Sequence, residues 1–178
     1  MSAFETIDPA TSACFVTVRR EGLAAALGHD LRIEVTRHSL GPGPGSDFTA
    51  EFDASSLRVV GALDSAGTVR PGVLSAKDCA TVESSIRDKV LDVRRHPVVR
   101  FQGRTIDVGA SGLSVQGELE LNGVRRPLTA PVASEAGRYV VRVTLHQPDW
   151  GITPFRGMLG ALRVQADVVV ELSVARRG

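Results

Sequence analysis

Leu113, Val115, Leu119 and Leu121 share one parity of the stretch 112–123, and Ser114, Gln116, Glu118 and Glu120 share the other. This alternation predicts a half-buried β-strand, because successive side chains of a strand point to opposite faces. The stretch ends in Asn122-Gly123, a dipeptide that favours a two-residue hairpin turn. The pattern recurs along the chain. It predicts a strand over 12–19, one opening at Asp30 with Leu31, Ile33 and Val35 on one face, and one over 47–53 with Phe48, Ala50 and Phe52 together. Leu57–Val59 continues as a strand, and Val99–Phe101 begins one that runs to about Val108. The return strand of the hairpin carries Leu128, Ala130 and Val132. Residues 138–146 place Tyr139, Val141, Val143 and Leu145 on one face; residues 163–174 do the same with Val164, Ala166, Val168, Val170, Leu172 and Val174.

Two regions depart from this period of two. Val82, Ile86 and Val90 recur at a spacing of four within 76–93, with charged residues between them. That spacing predicts the one main helix, amphipathic and laid against a sheet or across a barrel end, with Pro97 closing the region. Glu21–Gly28 reads as a short helical turn stopped by glycine. Gly41-Pro42-Gly43-Pro44-Gly45-Ser46 reads as a connector, and 61–75 as a loop. Eight or nine successive strands, tight turns and one helix favour an antiparallel meander, as a sandwich or a closed barrel. Only 4% of the residues are aromatic, so few large rings are available to fill a barrel, which favours a cavity.

Composition narrows the function. The 178 residues fit a single domain, 1–178. A net charge of +1, from 21 basic and 20 acidic residues, argues against a general nucleic-acid or anionic-membrane binder. Cys14 and Cys79 lack metal-ligand spacing and are expected as free thiols in a reducing compartment. The N-terminal residues lack a basic then apolar leader, and no apolar run is long enough to span a bilayer, so a cytoplasmic location is expected. His29, His38, His96 and His146 show no ligand spacing with one another or with the cysteines, and no metal is expected. No nucleophile elbow, phosphate loop or dinucleotide fingerprint is present, so no catalytic residue and no cofactor is assigned.

A few residues admit two readings. His29 is a candidate polar anchor for a ligand head group or a general base, or else a histidine that fixes a helix-to-strand junction through backbone hydrogen bonds, the reading favoured because no nucleophile or partnered acid is evident. His29 and Asp30 are adjacent strand positions and are expected to point apart. Trp150, the only tryptophan, either stacks at a cavity mouth or anchors a core. Phe155 and Met158 sit in a glycine-bearing loop, which suits a gate or an interface. Arg94, Arg95 and His96 read as a solvated helix end.

Four segments, in order, carry a resemblance. They are Gly28-His29-Asp30 before an alternating strand; Val90-Leu91-Asp92-Val93 with His96-Pro97 and Phe101; Gly117-Glu118-Leu119 through Gly123-Val124-Arg125-Arg126-Pro127-Leu128; and Asp149-Trp150-Gly151-Ile152. Together they resemble the YceI-like family of lipocalin-like, polyisoprenoid-binding proteins. Many relatives are exported; here Val90-Leu91 replaces the family's usual aromatic pair, and the loop 154–160 looks particular to a subgroup. The resemblance implies an eight-stranded antiparallel lipocalin-like barrel with a helix near one end. It also implies an apolar channel for an isoprenoid, a prenyl quinone or another lipid, held by a non-catalytic carrier or sensor. The expected wall residues are Leu31, Ile33, Val35, Phe101, Leu119, Val141, Val143 and Val168, with Trp150 and Phe155 at the mouth. The expected partner is an apolar small molecule or lipid, and a homodimer is left open. The competing reading is a packed barrel serving as an interaction or stress-response module without a ligand.

Overall fold

A computed structural model describes residues 11–22, 28–43, 45–107 and 109–176. The strands are β1 (Ser12–Val18), β2 (Arg20–Glu21), β3 (Asp30–Val35), β4 (His38–Gly43), β5 (Ser46–Asp53), β6 (Leu57–Leu63) and β7 (Val69–Arg70). After helix α1 (Ala76–Ser85) come β8 (Val98–Asp107), β9 (Leu113–Leu121), β10 (Val124–Glu135) and β11 (Arg138–His146). The last are β12 (Arg156–Gly157), β13 (Leu162–Val164) and β14 (Asp167–Ala175). Among the described residues the architecture is mainly β with one α-helix: a curled antiparallel sheet of order β4-β5-β8-β9-β10-β11-β14-β1-β3-β6-β7, and a small sheet β12-β13-β2.

The main sheet has eleven strands rather than the expected eight: two long staves are broken at a corner, which adds two, and the two-residue β7 adds one. Only Thr36 and Arg37 separate β3 from β4, and one turn of 3-10 helix, Ala54–Ser56, separates β5 from β6. The two breaks are bonded side by side: Thr36 N donates to Ser56 O at 3.3 Å, and Asp53 N to Arg37 O at 3.0 Å. Ser56, fully buried, donates from Oγ to Asp53 O at 2.8 Å and accepts from Arg37 N at 3.0 Å. β3 thus pairs with β6 while β4 pairs with β5, one bent ribbon in two segments. The same ribbon meets β1 through β3 and β8 through β5, so pairing continues around the curl.

The opening hairpin forms as the alternation predicts. Val115 and Leu119 of β9 are buried, Gln116 and Glu118 exposed, and Asn122 and Gly123 take φ of 53° and 74° at the turn. Both central residues of a type I′ turn need positive φ, which Asn-Gly supplies. At Gly117 a Cβ would come within 2.1 Å of Gln102 O, so the close passage of β8 and β9 requires glycine there.

Three expectations at strand boundaries are corrected. The expected connector 41–46 is largely strand, with Gly41–Gly43 in β4, where Pro42 is tolerated on a sheet edge. The expected loop 61–75 contains the end of β6 and β7. The expected continuous strand 163–174 is divided, because Gln165 N donates to Arg19 O and Ala166 O accepts from Gln147 N, both at 2.8 Å. Those bonds divert the backbone between β13 and β14. The short helical turn expected over 21–28 falls mostly on residues outside the described set, as does Val108.

The helix begins at a reciprocal cap: Ser75 Oγ accepts from Asp78 N, and Asp78 Oδ2 accepts from Ser75 N, each at 3.1 Å. It widens into a π turn over Ile86–Val90 and stops before Asp92, whose φ is 43°. Glu83 ties it to the sheet by accepting from Val59 N at 2.9 Å.

Candidate functional site: an apolar cavity within the curl

The inward parity of the strands encloses a cavity of about 620 Å³. Each expected wall residue lines it: Leu31, Ile33 and Val35 from β3, Phe101 from β8, Leu119 from β9, Val141 and Val143 from β11, and Val168 from β14. Ile33, Phe101 and Leu119 are buried. The Phe48 and Phe101 rings meet at 5.6 Å between centroids, tilted by 41°. Val82, Ile86 and Val90 project from the helix into the same space, which explains their spacing of four. The sequence reading missed Cys14, Leu40 and Leu57 as lining residues. Cys14 has the parity of Val16 and Val18 and was legible as a wall position on that ground alone.

The few polar groups are grouped by position. Arg20, His29 and Arg163 line the cavity near β2 and β13, with Thr81 and Ser85 of the helix also in the lining. His29 is exposed there. It does not pair with Asp30, whose carboxylate accepts from Arg20 N at 2.9 Å and meets Arg19 at 3.3 Å. Phe155 lines the cavity beside Gly157. Deeper in, Thr105 Oγ1 is buried without a hydrogen-bond partner. The Cys14 thiol is pushed up from its ordinary 9.0 to about 12, first by burial and then by the charges of Glu171 and Glu34. A protonated thiol makes that wall apolar.

Trp150 is elsewhere. Expected at the mouth, it is only 4% exposed and does not line the cavity. Its carbonyl accepts from Asn122 Nδ2 at 3.0 Å, and the Arg126 guanidinium lies over its ring at 5.8 Å. His96, expected as part of a solvated helix end, packs against the neighbouring turn: a Cβ on Gly123 would come within 2.9 Å of its Cε1. The second, third and fourth resemblance segments therefore meet in a packed corner. At that corner Trp150 and His96 pack outside the cavity, while Val90, Leu91, Leu119, Leu128 and Ile152 of the same segments line it.

With this geometry in hand, comparison with known proteins is decisive for family. The model of the YceI-like domain matches residues 6–175. The chain belongs to the YceI-like family. Among solved structures, BcnA of Burkholderia cenocepacia is similar with a TM-score of 0.62 at 12% identity, covering 95% of this chain and 98% of that one. A polyisoprenoid binding domain from Saccharophagus degradans, implicated in plant cell wall breakdown, is similar with a TM-score of 0.55 at 12% identity, covering 92% and 96%. At such identity both likenesses speak to the fold. No curated protein matches the chain. Among the described residues of this YceI-like protein, no helix is long and apolar enough to cross a membrane.

Proposed function

We propose that this YceI-like protein is a binding protein, not an enzyme, and that it holds one long apolar molecule inside the curled sheet as carrier or sensor. The observation that carries the reading is the cavity of about 620 Å³ whose walls are mostly Val, Leu, Ile and Phe. That size falls within the usual range for small-molecule sites. Burial of apolar surface is worth about 25 cal/mol per Å², so a prenyl chain gains affinity along its whole length with few hydrogen bonds. The family and the polyisoprenoid-binding neighbour support a polyisoprenoid, prenyl quinone or comparable lipid. In this reading Leu31, Ile33, Val35, Phe101, Leu119, Val141, Val143 and Val168 grip the chain, Phe155 guards the entrance, and His29 meets its polar end. The unpaired Cys14 and Cys79 fit a reducing compartment. The cavity also weighs against a packed barrel without ligand.

Mass spectrometry of organic extracts from gently purified protein tests this. A stoichiometric long-chain isoprenoid or lipid is expected. An empty extract, together with failure of the stripped protein to bind prenyl quinones, would overturn the reading.

A further inference from the structure

We propose that the β12–β13 hairpin docks this protein on an anionic lipid bilayer, Leu159 entering the apolar layer while the arginines around it meet lipid phosphates. Leu159 is 109% exposed, far beyond Val60 at 43% and Val98 at 42%, the other exposed large hydrophobics among the described residues. A single exposed leucine is ordinary on a protein surface. This one sits at the tip of a hairpin, in the left-handed region with φ 55° and ψ 31°, where a leucine is disfavoured. Local folding preference therefore explains neither the residue nor its exposure.

Its surroundings point to a membrane. Leu162, three residues on, and Phe155, on the other arm, both line the cavity, so the tip stands beside the entrance that Phe155 is proposed above to guard. Arg156 and Arg163 are register partners across the hairpin, and Arg20 lies opposite Val164 on the next strand. Arg19 precedes Arg20. Against these four arginines the same rim offers two carboxylates, Glu21 at 3.7 Å from Arg163 and Asp30 at 3.3 Å from Arg19. The chain as a whole carries only +1, so its bulk charge conceals this local surplus. An apolar tip inside a cationic collar matches the layering of a bilayer surface, hydrocarbon beneath anionic head groups. Seated this way, the entrance opens onto the lipid, and an apolar cargo passes between bilayer and cavity without crossing water. The cargo step rests on the cavity reading above, whereas the docking stands on the hairpin alone.

Flotation of the full chain with phosphatidylcholine vesicles, with and without phosphatidylglycerol, is the test. Binding to the phosphatidylglycerol vesicles is expected, weakening with added salt. Leu159→Asn keeps a residue that tolerates the left-handed conformation, so the hairpin geometry is retained. It should lower partitioning about tenfold, the scale set by one buried leucine side chain. Arg156→Gln should lower it about fivefold, the scale set by one cation near an anionic surface. Neither residue lines the cavity, so binding of geranylgeraniol in vesicle-free buffer should be unchanged in both variants. Equal flotation of wild type and Leu159→Asn, or no flotation at all, would overturn the docking. So would a concentration-dependent dimer lost in Leu159→Asn without vesicle binding, which would assign the tip to a protein contact. Vesicle binding without geranylgeraniol binding would instead sink the cavity reading and leave the docking intact.

Discussion

Gln147–Ile152 and Phe155–Leu162 belong to the same connection between β11 and β14, yet one is locked into the molecule and the other stands out from it. In the first, Gln147 is 7% exposed, Trp150 4% and Ile152 4%. Gln147 Nε2 donates to Gln165 O at 3.0 Å, and Gly151, at φ 67°, reverses the chain so that its own N–H returns to Pro148 O. In the second, two short strands form a small sheet with β2 and carry Leu159 into solvent. The difference separates two jobs that an aromatic-bearing loop can do. Trp150 is packed away from the cavity, whereas Phe155 lines it at the foot of a hairpin whose tip stands in solvent.

The largest test of that contrast is Trp150→Ala, expected to cost about 3–5 kcal/mol as a large core truncation. Phe155→Ala, only half buried, should cost about 1 kcal/mol on the area of ring released. Urea unfolding of the two variants measures both, and equal costs would erase the distinction. Inside the cavity the opposite behaviour is expected. Val143→Phe should lower prenyl-probe affinity about thirtyfold, roughly 2 kcal/mol, by occupying the ligand's space. Its melting temperature should hold or rise, because the ring fills a void rather than a packed core. A fall in stability with intact binding would show that the space is not a ligand site.

The buried thiol gives a pH-dependent test. Cys14 titrates near 12 in the folded chain against an ordinary 9.0, so the unfolded chain loses this proton first. The stability tied to the protonated thiol is therefore full below pH 9 and is lost as pH rises towards 12. By pH 10 the loss should be about 1.4 kcal/mol, and Cys14→Ala should remove that part of the decline. Thiol labelling at pH 8 should modify Cys79 in the native protein and Cys14 only after unfolding. At the packed corner, Gly123→Ala should cost about 1–2 kcal/mol, because φ of 74° and the His96 ring both oppose a Cβ. The smallest effect belongs to the exposed half. Leu159→Asn should shift stability by no more than about 0.5 kcal/mol, as a surface substitution at a left-handed position. A larger loss would mean that the tip packs on something.

Much of the wall was legible because the parity of a strand is a local property. Leu31, Ile33 and Val35 share a face whatever the strand pairs with, even though the ladder shifts register between Arg32 and Ile33. The helix was legible for the same reason, its spacing of four naming the face that meets the cavity. For Trp150 the sequence left a core anchor and a cavity mouth as alternatives. Its position in a turn suggested a mouth, and only Asn122 and Arg126, both distant in sequence, draw it into the packed corner. Gly41–Gly43 looked like a connector because glycine and proline are turn formers, but pairing with β5 outweighed that preference.

By itself, the sequence determined which side chains share a face, where the hairpin turns and that one main helix interrupts the strands, all of which follow from periods of two and 3.6 and from the φ preferences of Asn-Gly. Only the tertiary structure decided that the staves break at Thr36–Arg37 and Ala54–Ser56, that β12, β13 and β2 form a sheet of their own, and that the apolar faces surround open space. Bending a sheet around itself depends on hydrogen bonds such as Asp53 N to Arg37 O, which join residues far apart in the chain. Whether facing side chains meet or leave a cavity depends on the distance between strands, which no local pattern encodes.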